Sequence, residues 1–252
     1  MGLIAPTGVE YETYIPSDPL KPFIRSFAIQ EVAAEATYKI LPDTGIVIGF
    51  QYKGRLFRVG DGGSFALDTS GISGLADHHR SFRNLPGTGT ILVFFKEAGA
   101  APFFRQPLHE IFRESVTLEN FMLRSELLCL EEQLIEAPTN PERIIRLEKF
   151  FIGRMTQGEP DKLVLAALAL IHKSRGSIRI KDLVQQLHTS PSPLEKRFPL
   201  TPGHANRVRT FSVFDSLMVD LGWRFAFGGT FFGRSSILRS VFVTGHFYPG
   251  VR

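Results

Sequence analysis

Cysteine, long apolar runs and a basic leader are all scarce or missing in this chain of 252 residues. A single cysteine, Cys129, excludes an intramolecular disulfide framework and a cysteine-based zinc site. No apolar run approaches the roughly 20 residues that a membrane-spanning helix needs. The first residues, MGLIAPTGVE, lack the basic start and apolar core of a secretory signal. We therefore expect a soluble, cytoplasmic protein without a membrane partner.

The composition that remains is that of a globular protein. Hydrophobic residues make up 43% of the chain, which is enough for real cores, and its length suggests two domains. The formal net charge of +4 tolerates an anionic partner without requiring one. Cys129 falls inside an apolar helical pattern, so we predict a buried structural thiol.

Short β-rich runs separated by glycine and proline fill residues 38–95. The run GIVIGFQY, a KG turn and the run RLFRV predict a β-hairpin. The run TGTILVFFK is apolar enough to predict a strand buried on both faces. The segment FFRQPLHEIF, Phe103 to Phe112, predicts a short helix.

From residue 117 the apolar period becomes helical. One predicted stripe carries Leu123, Leu127, Leu130 and Leu134, and the next, capped by Asn140, carries Ile144, Leu147 and Phe151. The polar segment TQGEPD at 156–161 predicts a linker. We place the domain boundary there.

Three helical segments follow the linker. Their predicted stripes are Leu163, Ala167 and Leu170, then Ile180, Leu183, Val184 and Leu187, and finally Leu194 and Phe198. Ser192, Pro193 and Glu195 form a start signal for the last helix, whose Lys196 and Arg197 should face outward. A helix, a tight turn and a second helix with a basic face predict helix-turn-helix geometry, although amphipathic helix pairs with solvated basic faces are common.

The segment GSIRIKDLVQQLHTSPSPLEKRF resembles the first helix-turn-helix of the AraC/XylS family of bacterial transcription regulators. The segments YIPSDPLKPFIRSFAI, LPDTGIVIGFQ, SGLADHHRSFRNLPGTGTILVFFKEAGAAPFFRQPLHEI and ESVTLENF resemble, in order, an uncharacterised sensor domain that often precedes this motif. The resemblance covers roughly residues 11–198. It implies a small-molecule effector, DNA as a partner, and a homodimer.

Carried onto this chain, the resemblance assigns DNA contacts to Ser190, Ser192, Lys196 and Arg197. It also implies a second helix-turn-helix, which the 54 residues after Phe198 do not show. They hold eight of the 23 phenylalanines and six arginines but no lysine and no glutamate. Only VFVTGHFYPGVR, at the end, is similar to the family's closing motif.

Three explanations of residues 199–252 remain open: a divergent second unit, a new structure with another role, or a change of reading frame. The pattern is intact to Phe198 and lost one residue later, with a simultaneous shift in composition. We therefore favour the change of reading frame.

Within the first half, Asp77, His78, Arg80 and Arg83 are candidates for ligand contact, although surface solvation is the more ordinary use of such residues. A metal site built from His78, His79 and His109 is disfavoured, because neighbouring strand residues point to opposite faces. No nucleophile accompanies the acid and base groups, so we predict neither a catalytic residue nor a cofactor, and no enzyme.

The predicted class is α+β: a β-rich sensor over residues 1–156 with two or more helices, then an all-α helix-turn-helix domain over 161–198, aberrant or incomplete after residue 198. The predicted function is transcription regulation with impaired DNA binding. A stand-alone sensing or protein-interaction module is the alternative, and a cupin-like enzyme ranks third.

The first testable prediction concerns residues 199–252. If the reading frame changed near codon 198, an alternative frame of the same DNA should encode the missing helix-turn-helix and its glycine-phenylalanine turn. Sequencing the coding DNA with its flanks checks this. If neither alternative frame encodes a helix-turn-helix, the change of reading frame is ruled out.

Overall fold

The protein is described by a computed structural model that covers residues 9–40, 45–60, 62–76, 78–106, 108–156, 161–174, 177–197 and 247–249. Within these ranges nearly all strands precede the first α-helix, and the α-helices follow one another from residue 124 to residue 197. The predicted class, a β-rich N-terminal part followed by helices, is confirmed. The predictions for residues 199–252 concern a segment that, apart from 247–249, lies outside the described residues.

The strands are β1 Val9–Tyr14, β2 Ile24–Val32, β3 Ala36–Ile40, β4 Val47–Lys53, β5 Leu56–Gly60, β6 Gly63–Ala66, β7 Ser70–Ser73, β8 Arg80–Asn84, β9 Thr88–Phe95, β10 Ser115–Thr117 and β11 Phe247–Pro249. The α-helices are α1 Arg124–Glu136, α2 Asn140–Arg154, α3 Lys162–Lys173, α4 Ile180–Gln186 and α5 Pro191–Arg197. Short 3-10 turns span Ala101–Phe103, Leu108–Ile111 and Leu118–Asn120, the first two in place of the short helix predicted for that region.

The strands form two antiparallel sheets. The helix-backed sheet has the order β1-β2-β9-β4-β7-β10, and the outer sheet has the order β11-β3-β8-β5-β6. Strand β9 lies inside the helix-backed sheet between β2 and β4, and its Ile91 and Val93 are fully buried. The prediction that this strand is buried on both faces is confirmed.

Alternate residues of the helix-backed sheet serve two different layers. On β4, Ile48, Phe50 and Tyr52 belong to the main hydrophobic core. Val47 and Gly49 point the other way, toward the outer sheet. This division follows from the two-residue period of a strand. The helix-backed sheet is therefore the middle layer of three.

The hairpin predicted around Gly54 is wrong in its pairing. Both strands and the turn are present, and Gly54 has the positive φ of 70° that favours glycine. However, β4 pairs with β7 and β9, whereas β5 pairs with β6 and β8. The chain crosses from one sheet to the other at Gly54, so β4 and β5 face each other instead of sharing hydrogen bonds.

Helices α1 and α2 cover the free face of the helix-backed sheet. Helix α1 buries Leu127, Leu130 and Leu134 as predicted, whereas Leu123 precedes the helix and is 67% exposed. The prediction of a buried Cys129 is also wrong, because this residue lies on the exposed side of α1.

Helix α2 buries the predicted stripe of Ile144, Leu147 and Phe151. Its cap is Thr139, whose hydroxyl accepts the backbone N–H of Glu142, and not Asn140 as predicted. The ring of Phe151 makes edge contacts with the rings of Phe95 and Phe103, at centroid distances of 5.7 and 5.4 Å. These contacts join α2, β9 and the first 3-10 turn.

Helices α3, α4 and α5 share a small core of their own, formed by Ala167, Ile171, Leu183 and Leu194. Leu194, from the stripe predicted for the last helix, lies in this core, whereas Phe198 of the same stripe lies outside the described residues. In α3 the buried face is carried by Val164, Ala167, Leu168 and Ile171, while the predicted Leu163 and Leu170 are only partly buried. Helix α5 begins at Pro191, before the predicted cap at Ser192, because proline suits the first helical position.

The second testable prediction concerns domain independence. The main core draws on residues 14–155 and shares no residue with the core of α3–α5. We therefore predict that a fragment of residues 1–156 unfolds cooperatively in denaturant. Circular dichroism measures this unfolding. A molten or insoluble fragment would show that the boundary is misplaced.

Within that fragment, Phe151→Ala should lower the free energy of unfolding by about 3–5 kcal/mol, since the fully buried ring leaves a cavity. Ile152→Ala is the matched control, because this neighbouring side chain is 41% exposed. Its effect should stay within about 1 kcal/mol. Equal losses in the two variants would contradict the packing described for α2.

Candidate ligand-binding cavity and DNA-binding helices

A cavity of about 640 Å³ lies between the helix-backed sheet and the outer sheet. We call it the inter-sheet cavity; its walls come from β4, β7, β9 and β10 on one side and from β3, β5, β6 and β8 on the other. Pockets that hold small molecules usually measure roughly 300–1,000 Å³ and are mainly apolar. The inter-sheet cavity has this size and composition.

The wall formed by the helix-backed sheet has no side chains at its centre, because two glycines lie side by side there. Gly49 on β4 pairs with Gly71 on β7, and both line the cavity. The next residue along the same row is Leu92 on β9, which pairs with Gly49. A strand glycine exposes its backbone to close approach by another group. The glycine pair therefore creates the room between the sheets.

The wall formed by the outer sheet carries aromatic and basic residues. Tyr38, Phe82, Arg58 and Phe65 lie in one row across β3, β8, β5 and β6. The rings of Tyr38 and Phe82 stack at a centroid distance of 6.1 Å. This row faces the glycine pair across the cavity.

One end of the cavity is closed by hydrogen bonds between the sheets. The Gln51 side chain accepts the backbone N–H of Leu56 at 2.6 Å and donates to the carbonyl oxygens of Leu67 and Asp68. Tyr38 Oη donates to Gln30 Oε1 at 3.3 Å, and burial raises the pKa of this phenol, which keeps it neutral. These bonds hold the two sheets together at this end.

The opposite end is basic. Arg80 lies on β8, and its Nη2 donates to the carbonyl oxygens of Gly74 at 3.0 Å and of Glu114 at 3.4 Å. Its Nε is buried and has no hydrogen-bond partner within the described ranges. Burial, and then the charge of Arg58, lower the pKa of Arg80 to about 10, while Glu114 acts in the opposite direction. The guanidinium stays charged at neutral pH.

The structure separates the four residues that the sequence proposed as ligand contacts. Arg80 and His78 line the cavity. Arg83 follows Phe82 on β8, so its side chain points away from the cavity. Its Nε lies 2.8 Å from Glu35 Oε1. Asp77 lies outside the described residues.

Sequence reasoning missed Arg58, Gly49 and Gly71, which the fold brings to the cavity. A signal was present in β4, where small or polar residues alternate with large apolar ones in VIGFQY. A glycine and a glutamine at alternate positions of a buried strand indicate a face that is not ordinary core. Arg58 carried no such signal, because its position depends on the crossing between the sheets at Gly54.

The helix-turn-helix candidates lie at the turn before α5 and within it. Ser190 and Ser192 are exposed. Lys196 and Arg197 occupy the last two positions of α5, and their side chains are outside what the structure describes. The turn contains His188 with a φ of 48°, and Thr189 N–H donates to the carbonyl oxygen of Val184.

The described residues contain no group of three or more His, Cys, Asp or Glu side chains placed to hold a metal ion. His78 and His79 lie in the bend before β8, and the side chain of His109 is not described. Burial, then the charges of Lys39 and His78, lower the pKa of His79. Nor does any helix in the described ranges have the length and apolarity to cross a membrane.

Residues 12–117 match the sequence pattern of a domain of unknown function, DUF6597. No curated protein sequence matches the chain. Among solved structures, ToxT from Vibrio cholerae is similar at a TM-score of 0.39 with 9% identity, over 87% of this chain and 86% of that one.

The AraC-like transcriptional activator CuxR is similar at a TM-score of 0.30 with 13% identity, over 83% of this chain and 86% of that one. KdgF from Halomonas sp. is similar at 0.29 with 12% identity, over 36% and 81%. All these TM-scores are below 0.5.

The third testable prediction concerns the space above Gly49. A Cβ at Gly49 would meet Leu92 Cδ2 at 3.6 Å, an ordinary contact. Gly49→Ala should therefore raise the free energy of unfolding by about 0.4–1 kcal/mol, because it restricts the unfolded chain without a clash. Thermal and denaturant unfolding measure the effect.

Gly89→Ala is the contrasting variant. Its Cβ would lie 2.5 Å from Tyr52 Cζ, and the Tyr52 ring is held by Glu31 and by Arg143, whose Cζ lies 4.3 Å from the ring centroid. This variant should be less stable than the unmodified chain. Destabilisation of equal size at Gly49 would mean that its face is already filled.

Proposed function

We propose that this chain is a transcription regulator in which the β-sandwich binds a small-molecule effector and helices α3–α5 bind DNA. The observation that carries the proposal is the inter-sheet cavity, of about 640 Å³, on the same chain as a three-helix unit of helix-turn-helix order. The sequence motif that resembles the AraC/XylS family falls on α4 and α5, and the domain match covers most of the sandwich.

The cavity supports binding more than catalysis. Its lining is mainly aliphatic, aromatic and glycine, with most polar side chains toward its two ends and Arg58 on the outer wall. Gln51 and Tyr38 are engaged in hydrogen bonds that hold the sheets together, and so are not free to act on a bound molecule. An apolar chamber with few polar groups recognises a ligand by shape and by one or two directed contacts.

A direct contact offers a route from the cavity to the DNA-binding helices. His172 in α3 makes a hydrogen bond to the carboxylate of Glu97, which follows β9 by two residues. Strand β9 also carries Leu92 and Phe94 in the cavity wall. A strand of the cavity wall is therefore joined directly to α3.

The alternative function is a sensing module that does not bind DNA. It is favoured by the length of α5, which has seven residues, or about two turns. Helices of that length depend on tertiary support. A recognition helix so short would hold its basic side chains less firmly than one backed by a second unit.

The fourth testable prediction concerns DNA. In helix-turn-helix proteins the N-terminal residues of the second helix contact bases. Here Ser190 and Ser192 lie near the start of α5, and serines are undemanding base readers. We predict salt-sensitive binding with little sequence preference, at a Kd of roughly 10⁻⁴–10⁻⁶ M. Gel shifts with genomic fragments at two salt concentrations measure this.

Replacing Lys196 and Arg197 by alanine should lower the affinity for all sequences alike and flatten the salt dependence. Arg124→Ala with Lys149→Ala is the matched control, since it removes the same two charges from exposed positions on α1 and α2. Nanomolar binding to one operator, lost in the Lys196/Arg197 variant, would show that DNA recognition is intact. Equal loss in both variants would point to general electrostatics and to the alternative function.

A further inference from the structure

We propose that the effector is an organic anion with an apolar body, bound with its carboxylate at Arg80 and Arg58 and its body above Gly49 and Gly71. This inference rests on the proposed function and names the chemical class that the inter-sheet cavity accepts. It follows from the placement of two guanidinium groups on one wall of a mainly apolar chamber.

Arg80 is the main element of the proposed head-group site. A buried charge is costly unless it is paired and hydrogen-bonded. The Arg80 guanidinium donates from one nitrogen to two backbone carbonyl oxygens, and its buried Nε faces no acceptor of the described chain. The two neutral carbonyl groups accept hydrogen bonds from Nη2, but they do not neutralise the charge of the guanidinium. A carboxylate would do both, because it accepts two parallel hydrogen bonds from a guanidinium.

Arg58 strengthens the preference for a negative ligand. Arg58 lies opposite Phe82 in the β5–β8 pair, so it is a diagonal neighbour of Arg80, whose Cα is about 7–8 Å away in such pairs. Both residues line the cavity, and the charge of Arg58 is felt at Arg80. Two cations on one wall repel each other, and one anion between them offsets the repulsion.

Among the residues that the structure describes, the acidic groups nearby do not occupy this position. Asp68 lines the cavity, but it follows β6 at the end closed by Gln51, away from Arg80. Glu114 offers Arg80 its backbone carbonyl oxygen, and its residue is exposed. His78 lies at the basic end of the cavity.

The rest of the chamber selects an apolar body. Val47, Leu92 and Phe94 line the wall formed by the helix-backed sheet, and Phe82 and Phe65 line the opposite wall. Each hydroxyl group of a sugar that lay against these apolar side chains without a partner would cost about 1–3 kcal/mol in lost hydration. An alkyl chain or aromatic ring would instead lie flat over the backbone of the glycine pair.

The test uses probes that share a body and differ in head group: 4-phenylbutyrate, 4-phenylbutan-1-ol and 4-phenylbutylamine, with octanoate as a second acid. Binding to the full chain is measured by calorimetry. We expect the acids to bind and the amine not to bind. The alcohol should bind at least about tenfold more weakly than the acid, because it lacks a charge-assisted contact.

Arg80→Gln and Arg58→Gln should each weaken binding of the acids by about ten- to a hundredfold and leave binding of the alcohol unchanged. Arg80→Lys keeps the charge but cannot donate two parallel hydrogen bonds to a carboxylate. It replaces Arg80→Gln in this test if that variant does not fold. Arg83→Gln is the matched control: it lies on the same strand but pairs with Glu35 outside the cavity, and it should bind the acids normally. Gly49→Leu should abolish binding of every probe by filling the chamber.

The outcomes separate this inference from the proposed function. Equal affinity for acid and alcohol, both lost in Gly49→Leu, would overturn the anion and leave the cavity as a sensor. Acid binding that survives Gly49→Leu and both glutamine variants would place the probe elsewhere and overturn the inference. Failure of all probes, neutral ones included, to bind the folded chain would count against the inference and against the cavity as an effector site.

Discussion

The central constraint in this fold is that the helix-backed sheet must be covered on both faces. Its β4 and β9 send Ile48, Phe50, Ile91 and Val93 into the core under α1 and α2, and every second residue to the opposite side. The outer sheet covers that side. Because the residues facing it include Gly49 and Gly71, the cover leaves a chamber. The cavity is thus a consequence of the alternation in a doubly covered sheet.

The sequence predicted the individual strands and helices better than it predicted which strands pair with each other. Strand β9 was correctly predicted as buried on both faces because its apolar run is continuous, and α2 because its stripe has the helical period. The hairpin at Gly54 was wrongly paired because the turn residues look the same whether a chain returns beside itself or crosses to another sheet. Pairing depends on distant strands, which a local pattern does not encode.

The candidate site was partly predictable for the same reason. Arg80 and His78 were proposed from a loop-like mixture of residues, and both line the cavity. Arg83 was proposed on the same ground, but strand alternation turns it outward to Glu35. Arg58 belongs to the site only because β5 and β8 are neighbours in the outer sheet. DNA contacts at Ser190, Ser192, Lys196 and Arg197 stay a prediction from the motif.

The two walls of the chamber differ in mechanical stiffness. Among the described residues, the helix-backed wall is anchored in a core of 25 buried residues, whereas the buried cluster of the outer wall consists of Tyr38, Leu56 and Phe82. Distorting the first wall would disturb close packing under α1 and α2, but displacing the second strains few contacts. The outer sheet is therefore the compliant wall. A guest that is too thick or too thin would be accommodated by movement of that sheet, with the helix-backed wall as the fixed reference surface.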